Sequence, residues 1–170
     1  MFEINDTIFY GGDGVCTITE ISKKKCGTNT FLYYVLKPLY QNNSTIFVPV
    51  NNESLVSKMR NVLTKDEAYN IINALPIKYD IWTDNKNERL QTFKEILASG
   101  NPLDLIKLIT TLYNHQKEQV LLGKRLNRSD EQQLKDAEKM LYDEFAVALE
   151  IQPDEVLPFI TKHINATAQQ

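Results

Sequence analysis

The sequence is poor in cysteine and has no long apolar run. Only Cys16 and Cys26 occur in 170 residues. Two thiols outside a C-x-x-C pattern suit neither a metal site nor redox chemistry, so we expect reduced, structural cysteines on strands that could be neighbours. No apolar run approaches the roughly 20 residues that cross a bilayer, and the first residues lack the features of an export signal. The sequence therefore predicts a cytoplasmic protein with no membrane partner.

A basic net charge is also missing. The formal charge is −3, which argues against a protein that coats DNA by bulk attraction. Positive charge is local, however: five cations lie between Lys107 and Arg128 against the single acid Glu118, whereas nine acids and three lysines follow from Ser129 onward. Any role with nucleic acid must therefore come from this patch or from docking on a larger machine.

Groups of residues suited to catalysis are absent as well. His115 and His163 stand alone on different predicted helices, where solvated side chains explain them. The glycine-rich stretch 11–14 lacks the phosphate-binding pattern and leads into a strand, which favours a tight turn. The sequence thus predicts no enzyme, no cofactor and no metal site.

The first third of the chain has the short, β-branched and aromatic segments of a bent sheet. Turn residues at 11–14, 23–30 and 41–44 separate these segments, which cover residues 7–10, 14–21, 31–37 and 45–49. This pattern predicts a small SH3-like or Tudor-like β-barrel over residues 1–60.

From Thr64 onward, caps and three-to-four apolar spacing predict helices. Thr64 with Glu67 forms a capping box, a second helix covers 86–98 before Gly100, and Asn101-Pro102 opens a third that ends near Leu122. Ser129 with Gln132 is expected to cap a fourth, and Pro153 opens a short last helix. The fold class is therefore α+β, with the β-barrel followed by a compact all-helical domain over 61–164 and a loose tail over 165–170.

Trp82, the single tryptophan, lies in a polar link between two predicted helices. Lys86 and Arg89 follow it closely. A large ring followed by cations can act as a wedge or a stacking surface for nucleic acid, but large aromatics more often fill gaps between helices. Residue type alone favours packing, and a basic patch on the same surface would favour DNA.

Several short segments occur in a specific order along the chain. They are residues 6–10, 13–15, 34–37 and 46–49 in the β-rich part, and Trp82 with residues 94–100, 112–113, 123–126 and 129–130 in the helical part. Through these segments the chain resembles the CarD/CdnL family of bacterial transcription regulators. The resemblance covers roughly residues 2–162.

The resemblance implies a monomeric factor whose Tudor-like domain docks on the RNA polymerase β subunit. Its helical domain would contact promoter DNA, without sequence specificity, at the upstream edge of the melted region. Trp82 would be the minor-groove wedge that stabilises the open complex. The implied phosphate contacts are Lys86, Arg89, Lys117, Lys124, Arg125 and Arg128.

The resemblance also implies two residues that face the polymerase, Lys24 and Phe47. Lys24 falls where relatives carry a cation, whereas Phe47 departs from the arginine that some relatives carry in that strand. If Phe47 points outward, an apolar contact replaces an ionic one; if it points inward, the predicted register of this strand is off by one residue.

Two other interpretations remain open. In the first, the β-module binds a protein partner, and the helical domain is a scaffold without DNA contact. In the second, the chain is a relative of the transcription–repair coupling factor, whose polymerase-interacting domain resembles residues 1–60. Motor activity is excluded in that case because the sequence has no Walker motif.

Overall fold

In the computed structural model, which describes residues 1–40 and 43–169, the chain forms two compact units. The N-terminal unit is Met1–Val62, and the helical unit is Leu63–Gln170. A sheet followed by helices confirms the predicted α+β class.

The N-terminal unit is built on one antiparallel sheet of five strands in the order β4-β3-β2-β1-β5. A 3-10 turn at Gly11–Asp13 joins the first two strands, and a short helix, α1 (Glu53–Val56), precedes the last. Within the described residues, no pairing between β4 and β5 closes the sheet, so it is barrel-like at most. The strands are β1 (Thr7–Tyr10), β2 (Gly14–Cys26), β3 (Asn29–Pro38), β4 (Ile46–Pro49) and β5 (Met59–Asn61).

The β2–β3 hairpin is longer than the sequence predicts. The predicted turn 23–30 is mostly strand, and only Gly27 and Thr28 connect the two ladders. Gly27 has φ +64°, which suits glycine. The side chains near this tip are exposed, so no apolar alternation revealed the strands. Gln41 and Asn42 of the predicted 41–44 turn lie outside the described residues.

Alternate side chains of the strands form the core of the N-terminal unit. Ile18 and Leu36 are paired across β2 and β3, and both are fully buried. Cys16 and Cys26 lie on the same strand rather than on neighbouring ones, and both are free thiols. Cys16 is buried, and burial, aided by nearby Asp13, raises its pKa to about 12.

Over its described residues, 63–169, the helical unit contains five helices whose starts follow from their caps. Thr64 and Glu67 form the predicted capping box, Asn101 caps the third of these helices, and Gly100 ends the second in the left-handed conformation. The helices are α2 (Lys65–Asn73), α3 (Lys86–Ser99), α4 (Pro102–Leu121), α5 (Arg128–Leu149) and α6 (Pro153–Ala168).

Two helix ends differ from the sequence-based expectation. The cap of α5 is Asn127 rather than Ser129, because the Asn127 side chain accepts the Asp130 backbone N–H at 2.9 Å. Helix α6 continues to Ala168, into the tail expected to be loose from Asn165. No glycine or proline interrupts that stretch, so the helix can propagate.

The core of the helical unit is formed by buried side chains from all of the helices α2 to α6. Its largest fully buried side chains include Phe93, Leu108, Leu112 and Phe145. None of the helices described here is both long and apolar enough to cross a bilayer. The described residues also hold no cluster of three His, Cys, Asp or Glu side chains suited to a metal ion.

Candidate nucleic-acid interface

The link between α2 and α3 lies along one face of α4. The Lys107 ammonium is 4.6 Å from the Tyr79 ring centroid, and the Ile81 backbone N–H donates to Thr111 Oγ1 at 3.1 Å. Trp82 stacks on His115. Since positions 107, 111 and 115 are four residues apart, they follow a single helix face. This face of α4 therefore fixes the course of the link.

Trp82 is half-buried and contacts three side chains. Its ring is stacked on His115 with a centroid distance of 3.5 Å and an interplanar angle of 20°. The Arg89 guanidinium carbon lies 4.1 Å from the ring centroid, and the indole Nε1–H donates to Asp84 Oδ1 at 3.0 Å. The indole also packs against the helical core. It is therefore a partly exposed ring held in one orientation.

Arg89 is buried and paired with Asp130. Arg89 is 5% exposed and Asp130 is 1% exposed. Two donors of the guanidinium reach the two oxygens of this carboxylate, at 3.3 and 3.4 Å, and a third donates to the Thr83 carbonyl at 2.8 Å. Arg89 is therefore not placed to make the phosphate contact that the resemblance implied, because its guanidinium is directed inward to Asp130. Arg89 instead holds the indole in place.

Asp130 joins the tryptophan site to the start of α5. Besides its contacts with Arg89, its carboxylate accepts a hydrogen bond from the Asn127 side chain at 2.6 Å. Asn127 belongs to the segment Gly123–Arg128, which we name the basic loop. The contact chain from Trp82 through Arg89 and Asp130 thus ends in this loop.

A second chain of contacts reaches the same loop. Ring nitrogen Nε2 of His115 is 3.4 Å from the Gln119 side-chain nitrogen. The Lys124 backbone N–H donates to the Gln119 carbonyl at 2.8 Å. Two chains of contacts therefore connect Trp82 with the basic loop, although more than forty positions separate Trp82 from Lys124 in the sequence.

The expected phosphate contacts differ in their relation to this site. Lys86, Lys124, Arg125 and Arg128 are exposed, the first at the start of α3 and the others in the basic loop. Lys117 is also exposed, but it follows His115 by two residues, a rotation of about 200° around the helix. The structure therefore does not bring Lys117 to the face of α4 on which Trp82 lies.

The expected polymerase-facing residues share a surface of the N-terminal unit. Phe47 is 42% exposed, whereas its neighbour Val48 is fully buried. The outward direction of Phe47 follows from the alternation along β4. The Lys24 ammonium lies 3.2 Å from the centroid of the Phe47 ring. The pair thus presents a cation and an aromatic ring together.

The sequence did not assign His115, Thr111 and Asp130 to the site around Trp82. His115 was expected to be solvated, yet its side chain is 21% exposed and stacks on Trp82. His163, assigned in the same way, is partly buried near Tyr69 and Phe159. Thr111 gave no sequence signal, and Asp130 was noted only as part of the family resemblance and not as a partner of the indole site, because polar residues on amphipathic helices are usually exposed.

Comparison with known protein families accounts for most of the chain. Residues 2–62 match the CarD-like/TRCF RID domain, and residues 70–161 match the CarD C-terminal domain. The chain belongs to the CarD family. This confirms the resemblance, and it identifies an RNA polymerase-interacting transcription factor of a non-enzymatic family. No curated protein matches the chain.

Proposed function

We propose that this CarD-family chain docks on the RNA polymerase β subunit through Met1–Val62 and stabilises the open promoter complex through its helical unit. Trp82 acts as a minor-groove wedge, and the basic loop contacts nearby phosphates. The observation that carries the proposal is the placement of a partly exposed, tightly held indole beside exposed cations. DNA contact of this kind requires no sequence specificity.

The contacts of Trp82 suit a wedge. Unstacking a base step costs a few kcal/mol, and a ring that moved freely would also lose entropy on insertion. His115 and Arg89 restrict the ring before DNA arrives, and Asp84 satisfies its N–H. Preorganisation of this kind lowers the cost of binding.

The charge distribution suits a factor that is delivered to DNA by another protein. With a net charge of −3, the chain gains little from bulk attraction to DNA. Docking on polymerase raises the local concentration of the helical unit near the promoter. The basic loop and Lys86 then need to supply only a few phosphate contacts.

Lys24 and Phe47 are the residues proposed for polymerase docking. Both lie on an exposed part of the sheet surface, and the aromatic ring is directed outward. A half-exposed aromatic ring with a cation above it suits a partner surface that combines apolar and acidic groups.

The decisive experiment measures the lifetime of the open complex on a fluorescent promoter at saturating protein. We expect Trp82→Ala to bind polymerase as the parent does and to shorten the lifetime by about tenfold, which corresponds to about 1.4 kcal/mol. Phe47→Ala is the matched control, because it should weaken polymerase binding but leave the lifetime unchanged at saturation. Equal lifetimes for Trp82→Ala and the parent would favour the protein-binding module with a helical scaffold.

A further inference from the structure

The end of α4 exposes three successive apolar side chains, Val120, Leu121 and Leu122, which we name the apolar tip. They are 64%, 87% and 67% exposed. Neither apolar core formed by the described residues includes them. Consecutive exposed apolar side chains are unusual on a soluble unit unless they contact a partner.

The basic loop follows the apolar tip directly in the chain, and its cation Arg125 shares a cleft with the tip. Val120 and Arg125 line the same cleft of about 310 Å³, together with Gln116, Leu126 and Glu131. Gly123 has φ +69°, and this turn returns the chain so that the Lys124 backbone bonds to Gln119. The tip is therefore apolar at its centre and largely basic at its edge, with Glu131 as the acid in the cleft.

Leu122 of the apolar tip lies on the same side of α4 as Trp82, whereas Leu121 is rotated by about 100° from it around the helix. Leu122 follows His115 by seven residues, or about two helical turns, so both project from nearly the same face. Seven residues also correspond to a rise of about 10 Å along the axis. Since Trp82 stacks on His115, an apolar group stands about 10 Å from the indole along α4. This spacing equals about three base steps of duplex DNA.

Charge and shape together favour one partner for this tip. A partner that meets Lys124, Arg125 and Arg128 must be acidic, and DNA phosphates lie on both sides of the minor groove. Leucine is among the apolar side chains that insert between base steps in that groove. The cations would contact the phosphates while the leucines contact the groove floor or a base step.

We infer that Leu122, with the adjacent Leu121 at its edge, forms a second apolar contact with duplex DNA, in the minor groove about three base steps from the step that Trp82 occupies. This inference rests on the proposed DNA role of Trp82. It adds a separate contact whose removal changes no charge. The helical unit would thus hold the promoter at two points along α4.

The test compares the full chain carrying Leu121→Ser and Leu122→Ser with the control Leu157→Ser. Leu157 is another exposed leucine, 47% accessible on α6. We expect the tip variant to shorten the open-complex lifetime by about fivefold, equivalent to about 1 kcal/mol, and the control to leave it unchanged. The lifetime should keep the salt dependence of the parent, because no phosphate contact is lost. The single variant Leu121→Ser, at the more exposed site, should give a smaller change in the same direction.

A fluorescent base analogue locates the contact. With 2-aminopurine placed three steps from the Trp82 step, the parent should alter the fluorescence and the tip variant should not. If Trp82→Ala shortens the lifetime but the tip variant does not, the inference is overturned and the proposed function stands. If neither variant has an effect, both fail. The inference is also overturned if, in the absence of DNA, the tip variant binds polymerase more weakly than the parent does, because the tip would then contact the polymerase.

Discussion

The two units differ in the kind of side chain that they bury. Among the described residues, all six buried polar or charged side chains belong to the helical unit. The core of the N-terminal unit is formed by aliphatic and aromatic side chains with Cys16 and Met59. Apolar burial alone suffices to hold the sheet, whereas the helical unit combines it with directional contacts. The six are Arg89, Thr111, Asp130, Gln133, Asp143 and Glu144.

Most of these buried polar side chains hold a backbone segment or another side chain of the helical unit in place. Thr111 holds the backbone of Ile81, and the Arg89–Asp130 pair holds Trp82. Glu144 accepts the Leu63 backbone N–H at 3.0 Å, where this unit begins. A buried ion pair is weak evidence for stability in itself, but it specifies one geometry. Buried polar side chains in the helical unit therefore hold particular groups in place, and one of these groups is the indole of the proposed DNA contact.

The largest expected effect comes from breaking the buried ion pair. Asp130→Ala leaves the buried Arg89 without its counter-ion and should lower the free energy of unfolding of the helical unit by about 3–5 kcal/mol. Urea unfolding followed by Trp82 emission measures this, since the single tryptophan reports only on this unit. Glu131→Gln is the matched control: its exposed pair with Lys135 should contribute less than about 1 kcal/mol. Similar losses for both variants would contradict the positioning role of Asp130.

A smaller effect is expected in the N-terminal unit at alkaline pH. The folded Cys16 thiol has a pKa of about 12, whereas an unfolded thiol ionises near 8.5. The unfolded state therefore binds fewer protons above that pH, and stability falls as pH rises. From pH 8 to pH 9.5 we expect a loss of about 1 kcal/mol.

Thiol labelling in urea measures this loss, because Cys16 is buried in the folded sheet. In a Cys26→Ser background, which removes the exposed thiol, the urea midpoint for labelling of Cys16 should fall over this pH range. Cys16→Ala is the control, for which unfolding followed by circular dichroism should be less pH-dependent. An unchanged urea midpoint in the Cys26→Ser chain would show that burial does not raise the pKa of the Cys16 thiol.

An effect of similar size is expected from the His115 ring, on which Trp82 stacks. His115→Ala should shift the Trp82 emission to longer wavelength, because the ring gains contact with water, and should destabilise the helical unit by about 1 kcal/mol. His163→Ala is the control, since His163 contacts Tyr69 and Phe159. It should leave the emission maximum in place. An unshifted maximum in His115→Ala would mean that other contacts alone hold the indole.

The sequence predicts the fold best where local chemistry determines an element. The capping box at Thr64, the Asn101-Pro102 start of α4 and the glycine after α3 act within one helical turn, so their effects are visible in adjacent residues. The same holds for strands with one buried face, such as the start of β2. Trp82 was also identified locally, as a large ring in a polar link.

Elements fixed by distant contacts were missed. The outer part of the β2–β3 hairpin is exposed and leaves no apolar alternation, and β5 has three residues that depend on pairing with β1. His115 and Asp130 lie 33 and 48 positions after Trp82, so spacing could not connect them to the indole. Arg89 looked like a phosphate contact for the same reason, because its counter-ion is remote in sequence.

The sharing of Asp130 between Arg89 and Asn127 bears on how this family can diversify. One carboxylate anchors both the support of the indole and the first turn of α5, so neither can change without the other. The hydrogen bonds described for Asp130 involve no side chain of residues 123–126. The charge of residues 123–126 can therefore change while Asn127 and Asp130 stay in place. If the basic loop contacts promoter DNA as proposed, the affinity can therefore evolve in the loop while the tryptophan keeps its orientation, and positions 89, 127 and 130 should covary among relatives.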